Sequence, residues 1–130
     1  MAVVAAILVI PAVAEIDGNI KQVDWAEASV SAACPPIDYK PAITIMNTGD
    51  EKARFYVAIS VTDALGKERQ SGCLPTQEIE PGNTTLVWPY PIKLREKYNH
   101  VGVTLYAYSC LESHILDVDS HTVELKSCQS

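Results

Sequence analysis

The chain has 130 residues, enough for one domain with a sizeable core. Its composition, 48% hydrophobic and 20% charged, excludes a disordered chain. The net charge of −6 and the scattered Lys and Arg residues disfavour binding to nucleic-acid phosphates or to anionic lipid headgroups.

Met1 to Ala14 carries no charged side chain, and charge first appears at Glu15. Ala12-Val13-Ala14 before Glu15 has the A-x-A form of a signal-peptidase site, with Val3 to Ile10 as its apolar region, but the positively charged start of a signal peptide is missing. As a membrane helix the stretch reaches only about 21 Å against a hydrocarbon core of about 30 Å. Pro11 would also interrupt such a helix. A greasy end of this kind needs burial against its own core, a neighbouring subunit or a bilayer edge. Residues 1–24 therefore read as an apolar N-terminal segment and connector, and residues 25–130 as the folded domain.

Ala28 to Ala33, with Val23 and Trp25 as an extension ahead of it, reads as a first strand closed by Cys34-Pro35-Pro36. Ala42 to Met46 leads into Asn47-Thr48-Gly49-Asp50, a turn whose glycine tolerates positive φ. Phe55, Val57, Ile59 and Val61 then alternate with Arg54, Tyr56, Ser60 and Thr62, a strand with one face in the core. Asp63 to Lys67 turns the chain back. Glu80-Pro81-Gly82-Asn83 is a second turn, followed by a strand from Thr84 to Trp88 that Pro89 and Pro91 end. Val101, Val103, Leu105 and Ala107 alternate with Gly102, Thr104, Tyr106 and Tyr108, and Thr122 to Lys126 forms the last strand. About seven short strands separated by turn signals predict an all-β, immunoglobulin-like antiparallel β-sandwich.

Ile43-Thr44-Ile45-Met46-Asn47-Thr48-Gly49-Asp50, Ala53, Val57 to Val61 and then Ile79-Glu80-Pro81-Gly82-Asn83-Thr84-Thr85 resemble the CARDB-type family. These are immunoglobulin-like or fibronectin-III-like domains of prokaryotic, and especially archaeal, cell-surface proteins. The resemblance covers roughly residues 40–125 and implies a structural or adhesive role without catalytic residues. A fainter likeness joins Ala2 to Ile10 to the apolar start of archaeal pilin-like filament subunits.

Cys34, Cys73, Cys110 and Cys128 form no C-x-x-C pair and have no zinc-type histidine spacing. Two disulfides in an oxidising compartment are the expectation, with buried thiols or a metal site as alternatives. Of three connectivities, an immunoglobulin-like sandwich favours Cys34–Cys128 with Cys73–Cys110, because its first and last strands often run side by side.

Asp117, Asp119 and His121 stand at alternate positions, the pattern of a metal-ligating row or, more ordinarily, of a solvated outer face. Trp88, Tyr90, Tyr106 and Tyr108 read as aromatic pairs on adjacent strands, either a ligand-stacking face or cross-strand packing. Asn83-Thr84-Thr85 is an N-x-T sequon and a candidate glycosylation site.

No nucleophile elbow, H-E-x-x-H or phosphate loop is present, so the chain reads as non-enzymatic, without cofactor or bound metal. The expected role is an extracellular or cell-surface structural subunit assembling with other copies of itself. Val4, Ala6, Leu8 and Ile10 would fill a neighbour's open groove as an added strand, unless the segment docks as a helix. The alternative is an adhesive or accessory module on a larger surface or membrane complex, with membrane contact through residues 1–14.

Overall fold

The alternating runs around Phe55 and Val103 become the centre of the larger of two main sheets. The computed structural model describes residues 15–128, which form an immunoglobulin-like antiparallel β-sandwich. Its strands are β1 (Gly18–Asp24), β2 (Ile37–Tyr39), β3 (Ala42–Asn47), β4 (Ala53–Thr62), β5 (Glu68–Gln70), β6 (Leu74–Ile79), β7 (Thr84–Val87), β8 (Ile92–Leu94), β9 (Tyr98–Tyr106) and β10 (Ile115–Glu124). These are ten strands among the described residues rather than the seven expected, because β2, β5 and β8 are three-residue elements too short for their alternation to register.

One sheet has the order β1-β3-β7, and the other runs β10-β9-β4 with β5 and β6 both along the far side of β4. The sandwich interior is closed by Ile43 and Ile45 of the first sheet against Phe55, Val57, Ile59, Val101, Val103 and Leu105 of the second, all buried. Fully burying a side chain of this size contributes about 1.5–3 kcal/mol, so this layer dominates the stability.

A third, two-stranded sheet, β2-β8, continues the first. Ile43 stands opposite Val87, and Tyr39 opposite Ile92, so three intervening residues on one side match four on the other. The ladder breaks between them at Lys40-Pro41 and at Trp88-Pro89-Tyr90-Pro91, where the prolines have no N–H to donate. Beyond the break Tyr39, Ile92 and Leu94 return to the core.

Two expectations at the N-terminal side are corrected. Ala28–Ala33 is not a strand: Glu27–Val30 forms one turn of helix, α1. Asp24 Oδ1 accepts the Ala26 N–H at 2.9 Å, and Ala26 sits in the left-handed region at φ 53, which starts the helical turn instead of an extended one. The small Ala and Ser side chains here supply too little apolar surface to hold a strand against the core. The connector also ends earlier than residue 24, since Gly18–Asp24 is a full strand paired with β3.

Asn47 ties one end of the sandwich together. It is fully buried, donates through Nδ2 to the carbonyls of Glu51 and Ile79, and accepts the Gly49 N–H through Oδ1. Its backbone N–H reaches the Asn83 carbonyl at 3.0 Å, and its carbonyl accepts from Gly82 at 2.8 Å. The N-T-G turn and the I-x-P-G turn, distant in sequence, are thus one hydrogen-bonded unit.

Candidate functional site

Both disulfides have the expected pairing: Cys34–Cys128 with Cα atoms 5.7 Å apart and Cys73–Cys110 at 5.8 Å. They put the folded chain in an oxidising, non-cytoplasmic environment. The first joins the segment after α1 to the segment after β10, where Lys126 N–H also donates to the Ala33 carbonyl at 2.8 Å.

The second acts as a strap. Cys73 precedes β6 on one side of β4, and Cys110 follows β9 on the other, so their bond crosses β4. It passes over the face turned away from the first sheet, because Ala58 and Tyr106, which point that way, are 1% and 5% exposed. The Tyr106 hydroxyl accepts a hydrogen bond from Gln70 Nε2 of β5 at 3.0 Å, so its ring also spans β4.

This geometry separates the four aromatic residues read as one face. Trp88 and Tyr90 lie at the break between β7 and β8, whereas Tyr106 ends β9 in the other sheet, with Tyr108 just beyond it. The expected adjacent-strand platform is therefore absent: alternation identifies strands but not the sheet each joins. Tyr106 is a packing residue. Tyr108 is exposed and meets the His114 ring edge-on at 5.2 Å. Tyr90 is half exposed and lies against Gly72, where a Cβ would come within 3.1 Å of its ring.

Asp117, Asp119 and His121 do share one face, but not the outer one. They stand opposite Leu105, Val103 and Val101, whose side chains are buried, so the row faces the interior at its open margin. Asp117 Oδ2 accepts the Ile20 N–H of β1 at 2.7 Å, where β1 has an irregularity in its pairing. Asp119 Oδ1 accepts the Ser120 N–H. His121 stacks on Trp25 at 5.2 Å, and its Nε2 is bonded to Glu27 of α1. Each of the three has its own structural partner, and no cluster of three or more His, Cys, Asp or Glu side chains is placed to hold a metal among the described residues. Inward-pointing charge on a long edge strand also discourages pairing with other chains.

The edge at β7 has no such protection. Among the described residues β7 ends its sheet, with β3 on one side and no strand on the other. Leu86 stands opposite Thr44 on the outer face and is 50% exposed, and Trp88, two residues on, is 53% exposed. An apolar pair beside unpaired backbone is the feature of the described surface best suited to receive another chain. Val4, Ala6, Leu8 and Ile10 lie outside the described residues. Asn83 lies on the exposed turn leading into β7.

No protein-family model matches the chain, and no curated protein matches it in sequence. Among solved structures the chain is similar to a calcium-binding mutant of Bacteroides uniformis beta-glucuronidase 2, with a TM-score of 0.54 at 13% identity over 85% of this chain and 13% of that one. A beta-glucuronidase from Ruminococcus gnavus in complex with uronic deoxynojirimycin aligns with a TM-score of 0.32 at 10% identity, over 88% of this chain and 17% of that chain. The chain spans only a small part of each enzyme, and the first likeness shows a shared β-sandwich fold.

Proposed function

We propose that this protein is a non-enzymatic structural subunit of an extracellular or cell-surface assembly, joined to other copies through its apolar N-terminal segment. The observation that carries this reading is the uncharged run from Met1 to Ala14, which precedes in sequence a disulfide-braced sandwich with a buried core of its own. Burying Val4, Leu8 and Ile10 elsewhere would contribute roughly 5–8 kcal/mol before ordering costs. The open β7 edge, flanked by Leu86 and Trp88, supports addition of that segment as a strand. The engagement of Asp117, Asp119 and His121 in structural contacts supports a role without catalysis.

Deleting residues 2–10 tests the reading by size-exclusion chromatography and electron microscopy. The full chain is expected to form large homopolymers, and the deleted form to remain a folded monomer. Continued polymerisation after the deletion, or a full chain that stays monomeric in solution, would overturn it. The exposed Trp88 and Leu86 favour a second reading, an accessory or adhesive module bound to a different protein. A monodisperse hetero-complex recovered from native material would select that reading.

A further inference from the structure

We propose that Asn83 is a covalent modification site that carries an N-linked oligosaccharide. The sequon Asn83-Thr84-Thr85 has no proline at its middle position, and Leu86 follows it. A motif of this kind arises often by chance, so the weight of the proposal rests on the surroundings.

Residues 80–84 are exposed without interruption. Gly82, at φ 81, bends the chain at the tip, and a side-chain carbon added there would meet nothing within 4 Å. The base of the turn is held. Asn83 N–H donates to the Glu80 carbonyl at 3.0 Å, and the Asn83 carbonyl accepts from Asn47. Lys52 Nζ lies 3.5 Å from the carboxylates of both Glu78 and Glu80. The Asn83 carboxamide, by contrast, makes no hydrogen bond among the described residues, so a bulky group attached to it displaces no structural contact. Asn47 and Asn99 differ on each count: both are buried, and their Nδ2 groups are committed to backbone carbonyls. Asn19, in β1, begins no sequon.

Two further features fit. The disulfides put the chain in the kind of compartment where exported proteins are glycosylated. Thr85, whose hydroxyl the transferase must read, lies in a strand that among the described residues pairs on one side only, so presenting the sequon from this domain requires release of a single short ladder. The co-reactant is a lipid-diphosphate-linked oligosaccharide. Asn83 Nδ2 attacks the anomeric carbon, the bond from that carbon to the phosphate oxygen breaks, and the lipid diphosphate leaves with its electron pair. The amide proton passes to a base of the transferase, and no oxidant or reductant is required.

Peptide mapping by mass spectrometry on protein from its own cells tests the site and is unaffected by what happens at the N-terminus. The peptide containing Asn83 is expected to carry a hexose-containing mass addition, and a glycan-releasing amidase should remove it, leaving Asp at position 83. Asn83→Gln and Thr85→Ala should abolish the addition, while Thr85→Ser retains it in part. Circular dichroism on Asn83→Gln should match the parent, since no contact is lost. An unmodified Asn83 peptide, from cells whose other exported proteins carry such glycans, would overturn the proposal. So would an addition that persists in Asn83→Gln. If the cells lack the machinery, incubating the folded, disulfide-bonded chain with an oligosaccharyltransferase and lipid-linked oligosaccharide decides the matter, with failure to modify Asn83 counting against the site.

Discussion

Removing the Cys34–Cys128 bridge should cost about as much stability as the largest single core truncations in this protein. The two cysteines are 94 residues apart, so the bond constrains nearly the whole unfolded chain. The chain-entropy relation gives about 4.7 kcal/mol for a loop of this length. The same relation gives about 3.8 kcal/mol for Cys73–Cys110, whose cysteines are 37 residues apart. Domains of this size are stable by about 5–15 kcal/mol, so the Cys34→Ala/Cys128→Ala variant should sit close to its unfolding transition at physiological temperature. Urea unfolding without reductant, followed by tryptophan fluorescence, measures the loss. Trp25 lies beside α1 and reports on the end of the fold that this bond closes, whereas Trp88 reports on the β7 edge. The slope of free energy against urea should also increase, because the uncrosslinked chain exposes more surface when it unfolds. A loss under about 2 kcal/mol with an unchanged slope would refute the reasoning, since the unfolded-state constraint is its basis.

Three other outcomes follow from individual contacts. Asp117→Ala leaves the Ile20 N–H without its acceptor and should cost about 1.5–3 kcal/mol in chemical denaturation, whereas Asp117→Asn keeps an acceptor and should cost less. Gly18→Ala puts a methyl 2.8 Å from Phe55 Cε1 and 3.1 Å from the Met46 carbonyl oxygen; both neighbours are held in the packed sandwich, so a loss of about 1–3 kcal/mol is expected. Burial, followed by the nearby charges of Asp24 and then Glu27, raises the Tyr39 phenol well above its ordinary value. The folded state then holds its proton more tightly than the unfolded chain does, so Tyr39 should make stability fall as pH rises above about 10. Tyr39→Phe should flatten that alkaline decline, although it also loses the 2.8 Å bond to the Trp25 carbonyl and starts from lower stability at neutral pH.

The central strands were legible because β4 and β9 are long and one of their faces is buried, which writes a period of two into the sequence. The short strands left no such mark. β5 consists of Glu68, Arg69 and Gln70, and its membership in the sheet depends on pairing with Ser60, Val61 and Thr62 rather than on its own side chains. The disulfide pairing was readable from the fold class. The reason for it was not, since Cys34 follows a helical turn and not the expected first strand. The row at Asp117, Asp119 and His121 shows what alternation leaves open. Period two shows that the three side chains share a face, but only the register against Val101, Val103 and Leu105 tells which face that is. The aromatic set failed for a related reason, because Trp88 and Tyr106 belong to different sheets despite similar local patterns. The β7 edge became visible only once the strand order was known.

The prolines at 41, 89 and 91 have a consequence for how this molecule behaves in a crowd. Without them, β7 and β8 would form one continuous margin of about ten residues, long enough to template stacking of chain upon chain. The crease cuts that margin into stretches of four and three residues. A margin that short offers a landing place for one incoming segment and little foothold for the open-ended growth that ends in amyloid.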